Sequence, residues 1–324
     1  MPIDLSETLV IGISATALFD LSESDAVFRS KLESDPDTAI DEYRNYMLEH
    51  ESEELSDGTG MPLVKALLNL NKYQIEGEPP IVEVVVMSRN SPETGYRVLH
   101  EIRRRKLNIS RSAFTAGESS VDYLEAFYVD LFLTTSENDA QRVIDSNVCA
   151  SAIVKAPPFS CEDLDDEQVR FAFDADAVIF SEESEIVNQT EGLPAFHENE
   201  DKEQDVPLQQ GPHANLLIKL SKMQERLPGR IEYSPVKLAI MTARNSPAEM
   251  RVIKTLRSWK VYVDEAFFLG GLQKSRFLKA FKPHIFFDDQ DSHLDPAASE
   301  VPSAKVLYPS SSPLKKLIED RKKR

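Results

Sequence analysis

Apolar positions in this chain fall into short blocks, and the residues between them follow a helical period. Blocks at 9–19, 81–87 and 131–133 are matched by one ending at Phe173 and by others at 236–241 and 285–287. Runs of that length, alternating with helical stretches, predict a parallel sheet flanked by helices. After Met241 the helical pattern is explicit. Val252, Ile253, Leu256 and Trp259 recur at helical spacing and read as a core-facing stripe. Ser246 is the expected N-cap, Pro247 suits the first helical position, and Glu249 completes a capping box. That start would set Thr242 and the amides after it just ahead of a helix amino terminus, where anions are favoured.

The pattern is written twice. Met87-Ser88-Arg89-Asn90-Ser91-Pro92 answers Met241-Thr242-Ala243-Arg244-Asn245-Ser246-Pro247, and each follows an apolar block. In the helices beyond, Arg97-Val98 stands opposite Arg251-Val252. A constant register then carries Ala113-Phe114 onto Phe267-Phe268, Gly117 onto Gly271, and Leu131-Phe132-Leu133 onto Ile285-Phe286-Phe287. Upstream, Ile13-Ser14-Ala15-Thr16-Ala17 lies opposite Phe173-Asp174-Ala175-Asp176-Ala177. Two tandem halves are expected, residues 1–156 and 157–324, joined by an acidic, proline-containing stretch at 157–168. The acidic, apolar-poor segment at 182–210 reads as an insertion, a flap or a solvated loop. The tail from Pro309 reads as a surface helix or a frayed end.

Composition narrows the partners. At 324 residues, 41% hydrophobic and 28% charged, the chain has room for two globular domains. A net charge of −18 argues against a nucleic acid polymer as partner, because phosphate backbones call for a basic face. A small phosphorylated substrate stays compatible, since a few placed cations and a metal invert the local field. The 9–19 block follows Asp4 and Glu7 rather than Lys or Arg, a poor signal peptide, and is too short to span a membrane. Cys149 and Cys161 lack metal-ligand spacing and read as buried thiols of a reducing compartment. A cytoplasmic protein with no membrane partner is expected, and a homo-oligomer is compatible. No Walker A loop, G-x-G-x-x-G, paired zinc-binding histidines or Ser-His-Asp arrangement is legible.

Candidate chemistry concentrates in the second half. Asp174 and Asp176 end an apolar run, and on a strand they would point the same way. One carboxylate can attack an electrophile while the other handles a proton, with a divalent cation between them. Thr242 follows the next strand, Lys274 follows the Gly270-Gly271 turn, and Asp288-Asp289 close a third strand. In this order the residues resemble the motif set of the haloacid-dehalogenase-like (HAD-like) phosphatases. More narrowly, the chain is similar to the cytosolic 5′-nucleotidase I family. The similarity is carried by 173–185, 210–212, 242–244, 256–259, 264–269 and 283–290, with 17–20, 88–92 and 114–119 in the first half. Ala175 departs from it, standing where a glycine is usual.

The resemblance implies an α/β protein of two tandem Rossmann-like, HAD-like halves, the first a degenerate copy of the second. It implies a magnesium-dependent 5′-nucleotidase acting on nucleoside 5′-monophosphates, AMP foremost, with IMP and deoxynucleotides also plausible. Asp174 would be the nucleophile that forms an aspartyl-phosphate, and Asp176 the acid and then the base. Thr242 and Lys274 would hold the phosphoryl oxygens. Magnesium would be held by Asp174, by Asp288 or Asp289, and by Asp176 through its carbonyl. Opposite these the first half has Ser14, Thr16, Ser120 and Thr134-Thr135, so it is expected to be catalytically dead. Its residues Ser88, Arg89, Asn90, Gly117, Glu118 and Ser119 are expected to face the live copy and contact the nucleotide, with Phe19 stacking on the base. Arg244 and Asn245 are expected beside the phosphate. Two alternatives stay open: a phosphatase of another small phosphate ester, and a non-catalytic nucleotide-binding regulator.

Overall fold

A computed structural model of the chain describes residues 4–158, 164, 167–229 and 234–322. Cys161 and most of the joint expected at 157–168 lie outside the described residues. Among the described residues ten strands build one sheet: β1 (Leu9–Ser14), β2 (Val82–Ser88), β3 (Arg111–Phe114), β4 (Leu131–Thr134), β5 (Ala150–Val154), β6 (Val169–Phe173), β7 (Val236–Thr242), β8 (Glu265–Phe268), β9 (Ile285–Asp288) and β10 (Ser303–Lys305). Their order across the sheet is β3-β2-β1-β4-β5-β10-β9-β6-β7-β8. The pairings are parallel, apart from β5 with β10. Parallel strands are covered on both faces and so read as continuous apolar runs; β2 is buried along its whole length. One apolar cluster contains Ile13, Val84 and Leu131 together with Phe171, Ile240 and Phe287, so the core on one face is continuous across both sets of strands, while the alternate residues form two separate clusters.

The strand order is the same on both sides of the β5–β10 seam. β2, β3 and β4 begin at Val82, Arg111 and Leu131, and β7, β8 and β9 at Val236, Glu265 and Ile285, one constant offset apart. At the seam Ala304 stands opposite Val154 and Lys305 opposite Ile153, antiparallel, while β10 runs parallel to β9. The strands before the seam therefore point opposite to those after it. In open parallel sheets ligands sit beyond the carboxyl ends of the strands, so the places where each set could hold a ligand open in opposite directions. Five strand spacings also separate β1 from β6, about 24 Å. This corrects the expectation that the polar groups of the first half face the second half's site: the antiparallel seam turns them away.

Three local readings change as well. The 182–210 segment folds into helices Glu183–Glu191 and Leu193–Lys202, with Phe196 and Glu200 buried. It is a packed cover rather than a solvated loop. The helix after β7 begins at Glu249, and Ser246 does not cap it. Ala248 N–H donates to the Asn245 carbonyl at 2.8 Å, so Ser246 lies inside a preceding turn. The tail forms helix Pro313–Lys322 with Leu314 buried, and Ser312 Oγ and Arg321 reach Glu182 and Gln189 beneath it. Among the described residues no helix is long and apolar enough to cross a membrane.

Candidate active site

The carboxyl ends of β6, β7 and β9 bring together most of the acids, the threonine and the lysine singled out above. β6 ends at Phe173, whose ring stacks on Phe287 of β9 with centroids 5.2 Å apart. Asp174 follows, and its N–H donates to the Phe287 carbonyl at 2.8 Å, fixing the carboxylate beside β9. Gly270 and Gly271 both take positive φ, which turns the chain so that Lys274 opens helix Lys274–Phe281. Its Nζ lies 2.8 Å from Asp174 Oδ1 and donates to Asp288 Oδ2 at 2.6 Å. The contact with Asp174 is an ion pair without hydrogen-bond alignment, since Asp174 Oδ1 has no hydrogen-bond partner. All three groups are almost fully buried.

Burial governs the charges here. It pushes the Asp174 carboxyl up to about 7; Lys274 pulls it back, and the charges of Asp288 and Asp176 add to the rise. Burial also works against ionised Asp288, but Lys274 and His293 outweigh it and hold that carboxyl below its ordinary value. Asp289, buried next to Asp288 and Asp174, is raised well above the carboxylate range. Tyr308 OH donates to Asp289 Oδ2, while Asp289 Oδ1 is buried without a hydrogen-bond partner. His293 Nδ1 lies 3.2 Å from Asp288 Oδ2.

Asp176 does not point where Asp174 does. The strand has already ended, and the turn over Ala175–Ile179, with Ala177 at φ 58°, redirects the chain. Both Asp176 oxygens accept from Arg244, from Nε at 2.8 Å and from Nη2 at 2.6 Å. The Arg244 N–H donates to Thr242 Oγ1 at 3.2 Å, which ties this pair to the end of β7. Arg244 Nη1 also donates to Glu200 of the covering helix, and Arg251 Nη1 reaches the other Glu200 oxygen at 2.8 Å. Asn245 is exposed, with His197 of the same helix 3.0 Å from its Oδ1. Glu200 thus stands between two buried guanidiniums. Glu200→Gln keeps the volume but leaves those charges under-compensated. It is expected to lower the unfolding free energy by about 3 kcal/mol in urea titrations; a change below about 0.5 kcal/mol would refute this role.

The first-half residues surround a place of their own. Ser88, Arg89 and Asn90 line a cavity at the ends of β1, β2 and β4. Arg89 Nε donates to Asp139 at 3.0 Å, Ser119 Oγ donates to the same carboxylate at 3.0 Å, and Gly117 N–H donates to the Arg89 carbonyl at 2.6 Å. Glu118 lies in the turn between Gly117 and Ser119. Phe19 needs correction. Its ring has no exposed surface, packs in the core with Arg105 5.4 Å from its centroid, and has no free face for a base. It stands where Phe180 does in the second half: each bridges to the residue before a glycine, Asp57-Gly58 or Gln210-Gly211. At Gly211 that approach is so close that a Cβ would lie 2.3 Å from the Phe180 carbonyl oxygen.

The first half does reach the second, by other residues. Ile144 and Cys149 line a cavity of about 260 Å³ with Ala177, Glu182 and Tyr308. Glu200, Arg251, His293 and Tyr308 were not singled out from sequence. His293 alone carried a usable signal, a histidine one helical turn beyond an acid pair.

Comparison with known proteins agrees with the motifs. The 5′-nucleotidase family model matches residues 1–313. Human cytosolic 5′-nucleotidase 1B is 30% identical over 297 residues, which is 89% of this chain and 47% of that protein, so the chain spans about half of its relative's length. Among solved structures, histidinol dehydrogenase from Elizabethkingia anophelis aligns at 8% identity and a TM-score of 0.24, over 94% of this chain and 81% of that one, a likeness too low to bear on the fold. The family match runs through both sets of strands and through every motif at the carboxyl ends of β6, β7 and β9, and on it the chain belongs to the 5′-nucleotidase family.

Proposed function

We propose that this chain hydrolyses nucleoside 5′-monophosphates to nucleoside and phosphate at Asp174, with AMP the first substrate to try and IMP and deoxynucleotides next. One observation carries the reading: in a 5′-nucleotidase family chain, a buried lysine draws two carboxylates together at the carboxyl ends of adjacent strands. The first half, residues 1–156, is read as a degenerate copy of the second, on the strength of the shared strand order and constant offset.

Asp174 attacks phosphorus, forming a phosphorus–oxygen bond as the bond to the sugar oxygen breaks. Asp176 gives its proton to that leaving oxygen. It then takes a proton from water as the water oxygen attacks phosphorus and the bond to Asp174 breaks, releasing phosphate and restoring both acids. Lys274 and Thr242 hold the phosphoryl oxygens and balance their charge.

The donors fit a divalent cation. Carboxylate oxygens of Asp174 and Asp288 and a nitrogen of His293 lie within 4.8 Å of one another, and Asp289 offers a buried oxygen without a hydrogen-bond partner. Hard oxygen donors suit magnesium, and Asp174, Asp288 or Asp289, and the Asp176 carbonyl are the groups that would hold it. When bound, magnesium would supply positive charge to the phosphoryl oxygens.

The test is phosphate release from a panel of nucleoside monophosphates and sugar phosphates. Release from nucleotides is expected with magnesium, loss with chelator, and recovery when magnesium is restored. Release from another ester alone would favour a different phosphatase. Nucleotide binding without turnover by folded protein would favour a regulator.

A further inference from the structure

The cavity at the carboxyl ends of β1, β2 and β4 has a volume of about 460 Å³, within the range of small-molecule sites. Its lining includes Ser14, Thr16, Ser88, Ser120, Thr134 and Thr135. These are the register partners of Asp174, Asp176, Thr242, Lys274, Asp288 and Asp289. All six positions of the second half's site therefore recur around one space in the first. The space has kept its walls: Asp25 and Arg29 come from helix Ser22–Ser34, and Tyr43 from helix Ala39–Glu49.

The floor has changed character. Four carboxylates and an ammonium are replaced by hydroxyls, and the hydroxyl at Thr242 is matched by that of Ser88. Ser14 Oγ, Thr16 Oγ1 and Thr135 Oγ1 form a hydrogen-bonded chain at 3.1 and 2.6 Å. Such groups donate and accept equally, so they can exchange their mutual bonds for those of a ligand's hydroxyls. The cations on the wall are already paired, Arg29 with Asp25 at 2.7 Å and Arg89 with Asp139, and Glu137 adds a further negative charge. Nothing in the lining is set to neutralise a phosphate dianion. The Tyr43 ring, half-buried with its OH donating to Asn90 at 3.0 Å, gives the wall an aromatic surface beside polar groups.

We propose that this cavity is a second, non-catalytic site that takes an uncharged, hydroxyl-bearing molecule of nucleoside size. It opens in the opposite direction along the strands from the site of Asp174. It rests on the cavity alone, so it stands or falls apart from the proposed reaction.

The experiment is equilibrium titration of the full chain with adenosine, and separately with inorganic phosphate, by calorimetry. The parent and the double variant Thr16→Val, Thr134→Val are compared, with thermal melting to check that the variant folds. The substitutions keep side-chain volume and remove two hydroxyls from the floor. Adenosine is expected to bind the parent at a class of site that the double variant weakens about 10- to 100-fold. Tyr43→Ala, on an independent wall, is expected to weaken the same class. No adenosine binding to the folded parent, or adenosine binding that neither variant changes, would overturn the proposal. Phosphate binding that the double variant removes would overturn the uncharged character of the ligand.

Discussion

Asp174→Asn is expected to lower phosphate release from nucleoside monophosphates by about 10⁴-fold or more, the scale on which loss of a covalent nucleophile acts. The amide matches the carboxylate in size but does not form the phosphoryl-enzyme. The fold should tolerate the change. Lys274 keeps its 2.6 Å bond to Asp288, and Asp174 is held in place by its backbone N–H as well as by its side chain. A buried carboxyl raised to about 7 is also one whose charge the surroundings disfavour, so neutralising it costs the native state little. Melting temperature is therefore expected to stay near that of the parent while turnover collapses. Acid-quenched reactions with labelled substrate give the second readout. An alkali-labile phosphoryl label on the parent chain should be absent from the variant. Release within tenfold of the parent would remove Asp174 from the nucleophile's role, whatever the family.

How far the sequence reached follows from what each feature depends on. Strands β1, β2, β4, β6, β7 and β9 were legible because burial on both faces leaves continuous apolar runs. β10 was not. It is three residues long, Ser303–Lys305, with no apolar signature, yet its antiparallel pairing with β5 sets the direction of half the sheet. The placement of Ser88, Arg89 and Asn90 turned on that one strand. Asp174, Lys274 and Asp288 were legible because strand ends and glycine turns fix where they lie. The direction of Asp176 was not, because the strand ends at Phe173 and Asp176 lies in the turn Ala175–Ile179, where the two-residue alternation of a strand no longer applies. Glu200 was hidden for another reason. It shares its segment with Glu182, Glu183, Glu185, Glu191 and Glu198, and nothing in the spacing marks the one that is buried between two arginines.

Asp176→Asn is expected to lower kcat/KM for nucleoside monophosphates by about 10²- to 10⁴-fold, the usual worth of a positioned proton donor. A sugar alkoxide leaves poorly without a proton, whereas p-nitrophenolate leaves well without one. On p-nitrophenyl phosphate the same variant should therefore keep kcat/KM nearly unchanged, because that ratio reports the steps up to loss of the leaving group. Steady-state kcat should fall on both substrates, since the second step also needs Asp176 to draw a proton from water. The structure adds a condition. Both Asp176 oxygens accept from Arg244, so neither is free to serve the leaving oxygen until that pair opens. Glu200 holds Arg244 from the other side, which links the opening to the covering helix Leu193–Lys202. The contrast between the two leaving groups separates chemistry from architecture. If Asp176 serves only to anchor Arg244, its loss disturbs both substrates alike, and an equal fall in kcat/KM on both would sink the acid–base assignment.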